Sequence, residues 1–227
     1  VVVVVAAGNS GPGKETVASP GNARQIITVG ATDKSNLIAS FSSRGPVGDR
    51  IKPEIVAPGV NICAAQWGSW FEGSKECTPN LDKHIAISGT SMATPHLAGA
   101  VALIKQLRPN LSTQQIKSLL VSTSKDLGYD VNTQGGGRLD LDKASRAGLV
   151  FSPSLMNLGK VNATKTFEIN VTNFGAGNLT ANFDSSKLTD GTKEYLGKIS
   201  FSPSSFVLQS GATRAVNVTV NAEALIG

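Results

Sequence analysis

The chain is poor in charge and in aromatic side chains, and it has no long apolar run. No stretch of roughly eighteen apolar residues occurs, so no segment reads as a membrane-spanning helix. Only 16% of residues are charged. The formal charge is +5, but the basic residues are scattered rather than gathered in a block or along a helix face. That pattern reads as a solvated surface and carries no nucleic-acid footprint. Aspartates are too dispersed to outline a calcium cage. Histidine and cysteine occur twice each. What replaces these residues is frequent glycine with abundant Ser, Thr and Asn, a composition that fits an extracellular globular protein. The length allows one large domain or two small ones. The first residues already read as a strand, so a signal peptide is expected to belong to sequence ahead of them.

The most informative string lies at residues 89–95, Gly-Thr-Ser-Met-Ala-Thr-Pro, ahead of an apolar stretch at 97–107 expected to be a helix ending before Pro109. A serine at a strand-to-helix turn is well placed as a nucleophile. Its hydroxyl sits at the positive end of the helix, where backbone N–H groups without helical partners can bind a developing oxyanion. The competing reading makes Ser91 an ordinary N-cap. The full seven-residue string resembles the nucleophile motif of subtilisin-like serine proteases, and this favours the first reading.

Other segments are similar to the same family and follow in its order. Residues 1–12, Val-Val-Val-Val-Val-Ala-Ala-Gly-Asn-Ser-Gly-Pro, have the look of a parallel strand covered on both faces and the loop after it. By resemblance, Asn9 donates its side-chain amide to the oxyanion, a task that needs a fixed, uncharged donor. Taken alone, Asn9 would pass for a turn residue. Residues 19–33, 41–46, 52–60 and 135–144 continue the resemblance, which covers about two thirds of the chain. It further implies that Ala6, Ala7 and Gly8 form one wall of the primary specificity pocket, with Ala18 near its floor. Small uncharged walls leave room for an apolar or aromatic side chain and offer Lys or Arg no partner. Met92, beside the nucleophile, is an oxidation liability. Catalysis in this family requires no cofactor. Structural Ca²⁺ is a family trait whose ligands are not identified here, Asp33 and Asp49 being the candidates. The implied partners are polypeptide substrates, and the implied location is extracellular or in the cell envelope.

A serine hydroxyl needs a histidine to take its proton and an aspartate to orient that histidine. The family's Asp-Ser/Thr-Gly and His-Gly-Thr strings do not occur in this sequence. His96 lies five residues after Ser91, about 140° around an ideal helix, and is expected to be structural. His84 opens the strand before the nucleophile, with no sign of a base nearby. The expectation is therefore the C-terminal part of a serine endopeptidase, inactive by itself, acting in its parent through an acyl-enzyme on Ser91. The alternative is a non-catalytic envelope or adhesion protein that keeps the scaffold.

Cys63 and Cys77 bracket a segment holding Trp67, Trp70 and Phe71. An isolated pair in a secreted protein favours a disulfide, whereas a cytosolic protein would keep two thiols. By resemblance this segment lines the leaving-group side of the cleft; a stapled surface loop with no substrate role is the other reading. Short strands are expected at 26–29, 55–57 and 85–87, and a capping box at 112–115 before Ile116, Leu119 and Leu120. Residues 1–149 thus read as an α/β fold with a largely parallel sheet sandwiched by helices. From 150 to 227 the pattern changes to period-two alternation at 166–173 and 215–221 without helical periodicity. That region is similar to the fibronectin-type β-sandwiches that follow many catalytic domains of this family, though it is short for a complete one. Sequons at Asn110, Asn162, Asn170, Asn178 and Asn217 agree with an exterior location.

Overall fold

The computed structural model describes residues 1–67, 77, 83–158, 161–184, 188–189, 194–195 and 199–221. Trp70 and Phe71 lie outside them. Three parallel strands, β1 (Val4–Ala6), β2 (Ile27–Thr32) and β3 (Ile55–Pro58), form a sheet in the order β1-β2-β3. Every residue of β2 is buried, as expected of a central strand covered on both faces. A hairpin of β4 (Ile62–Ala65) and β5 (His84–Ile87) pairs Ile62 with Ile87 and Ala65 with His84. An isolated two-stranded hairpin is marginal in water, and this one is tied by a disulfide from Cys63 to Cys77 with Cα atoms 5.6 Å apart.

Helix α1 (Thr90–Leu107) starts at Thr90 rather than at the first apolar residue after Pro95. Proline removes one N–H donor and leaves the carbonyl of Ser91 without its helical bond, yet the helix runs through it because packing outweighs propensity. Ala93, Leu97, Ala100, Val101 and Ile104 are buried on one face, in the three-and-four spacing of an amphipathic helix. They join Ile27, Val29, Ile55 and Ala57 in the main core. Helix α2 (Thr113–Ser122) begins with the expected capping box, Ser112 accepting from Gln115 N–H and Gln115 accepting from Ser112 N–H. Its Ile116, Leu119 and Leu120 complete that core. Two short helices follow, α3 (Val131–Gln134) and α4 (Leu141–Arg146).

The remaining strands are β6 (Leu149–Ser152), β7 (Lys165–Asn173), β8 (Leu179–Asn182), β9 (Leu188–Thr189), β10 (Glu194–Tyr195), β11 (Ile199–Ser202), β12 (Ser205–Leu208) and β13 (Thr213–Val220). An antiparallel sheet runs β11-β13-β7-β6, and β12 pairs antiparallel with β8. Ile169, Val171, Val216 and Val218 from the first meet Ala181, Phe206 and Leu208 from the second in one buried cluster. Phe183 packs edge-on to Phe151 and lies 5.0 Å from Phe201 between ring centres. Asn173, fully buried, donates to Gly177 O and Leu208 O and accepts from Gly175 N–H, joining the two sheets.

Strand β6 belongs to both cores. Val150 is 1% exposed and sits in the main core, whereas Leu149 and Phe151 pack on the second cluster. Alternation along a strand sends successive side chains to opposite faces, so a single residue, Val150, plugs the outer face of this sheet into helix α2. Val150→Ala should lower unfolding free energy by about 2 kcal/mol through lost burial and a residual cavity. Val207→Ala, at a side chain 60% exposed, should stay within about 0.5 kcal/mol; urea denaturation of both variants checks the contrast. Alkylation without reductant should leave Cys63 and Cys77 unmodified by mass spectrometry, and labelling of both would contradict the disulfide.

Candidate active site

The carboxyl ends of the three parallel strands meet the start of α1, the general position for sites in open α/β sheets. After β1 the chain turns through Ala7, which is buried, and Gly8, at φ 105°. That left-handed conformation favours glycine. The loop is held from behind by the turn at 41–43. Ser43 N–H donates to Gly8 O at 2.9 Å, Ser10 N–H to Ser43 Oγ at 3.1 Å, and Gly11 N–H to Phe41 O at 2.8 Å. Ser42 Oγ accepts from Ala31 N–H on β2, so the turn is itself fixed to the sheet.

The N-cap of α1 is Gly89, which has no side chain to offer the helix's free N–H groups. Asn9 supplies the missing acceptor from a distant part of the sequence. Its Oδ1 accepts from Thr90 N–H and from Thr90 Oγ1, both at 2.9 Å. Thr90 Oγ1 in turn accepts from Gly8 N–H at 3.2 Å, and Thr90 is 1% exposed. With its carbonyl oxygen so occupied, Asn9 presents its Nδ2 amide on the side of the nucleophile motif. A Cβ added to Gly89 would sit 3.3 Å from Asn9 Nδ2, 3.7 Å from Ser91 N and 3.6 Å from Met92 Sδ. Two N–H donors thus border the same empty space. Ser91 is the second helical residue, whose N–H has no partner within a helix, and it is exposed. A pair of donors at a helix N-terminus can hold an anion.

Backbone contacts fix Gly89 as well. Gly59, just past β3, takes Gly89 N–H on its carbonyl and gives its own N–H to Thr32 O, both at 2.8 Å. A side chain on Gly59 would come within 2.7 Å of both Ala31 Cβ and Gly89 O, so the close approach requires glycine.

The other expected residues are placed as follows. Ala6 is half-buried and Ala18 exposed. Their carbonyl oxygens converge on Gly21, whose Cβ would lie 2.9 and 3.1 Å from them; the strand end and the 18–21 loop are therefore neighbours. Met92 is partly buried beside Ser91. His96 Nδ1 lies 2.9 Å from Met92 O, a local contact along the helix. His84 stands at the end of the hairpin away from α1, opposite Ala65. Among the described residues neither histidine is bonded to Ser91. Asp33 Oδ1 accepts from Ser35 N–H and Leu37 N–H at 2.8 Å each, closing its own turn. The nearest charged neighbour of Asp49 is Arg50, at 4.0 Å. Among the described residues no three acidic, histidine or cysteine side chains come together. Asp33 and Asp49 therefore do not outline a calcium cage. Sequence reasoning missed Thr90, Ser43, Gly59 and Gly89 as positioning residues.

An exposed serine and two N–H donors thus stand together at the start of α1 in an α/β fold. A family model described as the subtilase family matches residues 1–143, and the chain belongs to that family. It is 43% identical over 154 residues to serine protease AprX of Bacillus subtilis (strain 168), covering 63% of this chain and 35% of that protein. It is 40% identical over 146 residues to subtilisin Savinase of Lederbergia lenta, covering 64% and 46%. Among solved structures, the prenylagaramide maturation protease PagA aligns with a TM-score of 0.52 at 27% identity, over 64% of this chain and 50% of that one. The chain therefore spans less than half the length of these two curated relatives.

Because Asn9 both caps α1 and presents an amide, two substitutions separate the roles. Asn9→Asp keeps the oxygen that accepts from Thr90 N–H and should leave stability nearly unchanged at neutral pH. Asn9→Ala removes the cap and should lower stability by about 1 kcal/mol. Guanidinium denaturation of the two variants tests this; equal losses would contradict the capping role.

Proposed function

We propose that the protein containing this chain is a serine endopeptidase that hydrolyses polypeptides through an acyl-enzyme on Ser91. The observation that carries this reading is the pinning of Asn9 Oδ1 by Thr90, which leaves Asn9 Nδ2 beside Ser91 N–H. In this mechanism Ser91 Oγ attacks the scissile carbonyl while a histidine accepts its proton. Asn9 Nδ2 and Ser91 N–H hold the oxyanion of the tetrahedral intermediate. The intermediate collapses with departure of the amine, which takes the proton from the histidine, and water then releases the acid by the same steps in reverse order of partners. The histidine and its orienting aspartate come from a part of the protein beyond these residues, and residues 1–227 alone do not turn over substrate. Ala6, Ala7, Gly8 and Ala18 contribute a small, uncharged part of the specificity pocket, which suits apolar or aromatic side chains.

The location we propose is extracellular or in the cell envelope. The Cys63–Cys77 disulfide supports it, since such bonds persist in oxidising compartments, and no helix among the described residues is long and apolar enough to cross a membrane. We read residues 150–227 as an appended β-sandwich of fibronectin type, supported by the two packed antiparallel sheets. The rival function, a non-catalytic envelope protein on the same scaffold, is decided by the same experiment.

A fluorophosphonate should label Ser91 in the full-length protein and fail to label Ser91→Ala. Asn9→Ala should lower kcat roughly a hundredfold to a thousandfold with KM little changed, because the lost donor acts mainly in the transition state. Absence of an adduct on Ser91 in folded full-length protein would establish the non-catalytic alternative.

A further inference from the structure

A pocket of about 250 Å³ lies between the parallel-sheet region and the segment after β6. Its charged lining is unbalanced: among the described residues Arg24, Arg50, Lys52 and Lys117 are matched by Asp49 and Glu54. The deepest part is a buried cluster in which one carboxylate serves two ammonium groups. Lys52 Nζ and Lys117 Nζ both donate to Glu54 Oε1, at 2.8 and 2.6 Å, while Glu54 Oε2 accepts from Thr28 N–H at 2.8 Å. Lys52 also donates to Thr28 Oγ1 and is 1% exposed. Desolvation lowers its pKa; the bond to Glu54 opposes that, and the nearby charges of Lys117 and Arg50 add to it. Lys117, 19% exposed, lies towards solvent.

A second observation points the same way. The Arg50 guanidinium donates from Nη1 to Asn22 O, but its buried Nε has no hydrogen-bond acceptor among the described residues, and the Asp49 carboxylate, at 4.0 Å, is too far to provide one. A buried guanidinium N–H left unmade is costly, as is surplus positive charge in a desolvated cleft. The rest of the lining combines apolar Ile51, Val121, Pro153 and Leu155 with polar Gln114, Ser154 and Asn157. On the far side Asn157 Nδ2 donates to Asp49 O at 3.0 Å, tying the 153–157 segment to the loop that carries Arg50.

We propose that this pocket binds an organic carboxylate with a short apolar body, its charge held by Lys117 and the arginines and its body against Ile51, Val121 and Leu155. The surplus of cations disfavours an amine or a metal cation as ligand, and Ile51, Val121 and Leu155 offer the body of an acid an apolar contact that an inorganic anion would not use. Since the pocket is bounded both by the loop before β3 and by the segment after β6, occupancy fastens the two regions together. The proposal does not depend on peptidase activity.

Titration calorimetry and thermal melting of the full-length protein test it with isovalerate, isovaleramide and sulfate at constant ionic strength. Isovalerate should bind saturably and raise Tm, and the uncharged amide should do neither. Lys117→Gln should weaken isovalerate binding about tenfold, as expected for a charged hydrogen bond. Arg24→Gln, on an exposed side chain, provides the same readout if the first variant misfolds. A capped acetyl-Leu-Asp amide that binds more tightly than isovalerate would assign the carboxylate to a protein side chain, and weaker binding would assign it to a free acid. Equal binding of the amide, binding of sulfate without isovalerate, no saturable binding, or unchanged affinity in both variants would each overturn the proposal.

Discussion

The contact between Asn9 and Thr90 is the joint on which the rest of the site depends. A helix that starts with Gly89 has no local side chain for its first N–H groups, and the acceptor comes from the loop after β1, 81 residues away in sequence. The same threonine hydroxyl accepts from Gly8 N–H and donates to Asn9 Oδ1, so strand end, loop and helix start share one hydrogen-bonded corner. An amide is the right group for it. Its oxygen does the structural work, and its nitrogen remains as a donor whose direction is fixed by that work. The structural part is worth about 1 kcal/mol by the measure of ordinary helix caps, whereas a fixed donor at an oxyanion is worth about 3 kcal/mol in a transition state. A residue retained for stability alone could be serine or aspartate; asparagine also leaves an amide donor at this corner, as the proposed mechanism requires.

The corner would be of little use if the loop could shift, and its support is unusually complete. Gly8, Ser10 and Gly11 are each bonded to the 41–43 turn, and that turn is bonded to β2 through Ser42. Gly59 ties the end of β3 to Gly89. At the opposite end of the sheet the same problem of unpaired strand backbone is solved with charge. Before the β2–β3 ladder begins, Thr28 N–H is met by Glu54 Oε2 and Ile26 O by Lys117 Nζ. Burying these charges is not in itself stabilising. What they provide is satisfaction of backbone groups that would otherwise be left unpaired in the core.

Much of this was legible in the sequence because the relevant signals are local. The 89–95 string and the Ser112–Gln115 capping box each declare themselves within a few residues, and the structure has a helix start and a capped helix there; of the five leading valines only Val4 and Val5 enter β1, which is half-buried at the edge of the described sheet rather than covered on both faces, with Val1 and Val3 exposed. The period-two segments at 166–173 and 215–221 form β7 and β13, paired directly with each other. Long-range contacts were not legible. Nothing near Thr90 announces that its partner is Asn9, and nothing in Phe-Ser-Ser at 41–43 announces that Ser43 holds Gly8. Helix α1 began earlier than its apolar pattern because Pro95 reads as a helix breaker, while Ala93 and Leu97, on either side of it, are fully buried. The surplus charge around Glu54 was equally hidden, since Lys52, Glu54 and Lys117 look like scattered surface residues until the fold gathers them.

That gathering bears on how the two regions of the chain are joined. A β-sheet region tethered only by a flexible linker would move freely, as modest interfaces between domains allow. Here the connection is made by a strand rather than a linker, with Val150 in one core and its neighbours Leu149 and Phe151 in the other. Tilting the sheet away from α2 would withdraw Val150 from a packed interior and also separate Asn157 from the loop at Asp49. The second of these contacts lies at the cationic pocket, which Asp49 and Asn157 both line. The apolar contact holds without any ligand, whereas on the polar side Arg50 Nε has no acceptor among the described residues and cations outnumber carboxylates. An anion would therefore complete the polar half of a junction whose apolar half is already made. Occupancy by the proposed anion would thus add to a junction that Val150 already makes, while the corner formed by Asn9 and Thr90 needs no ligand.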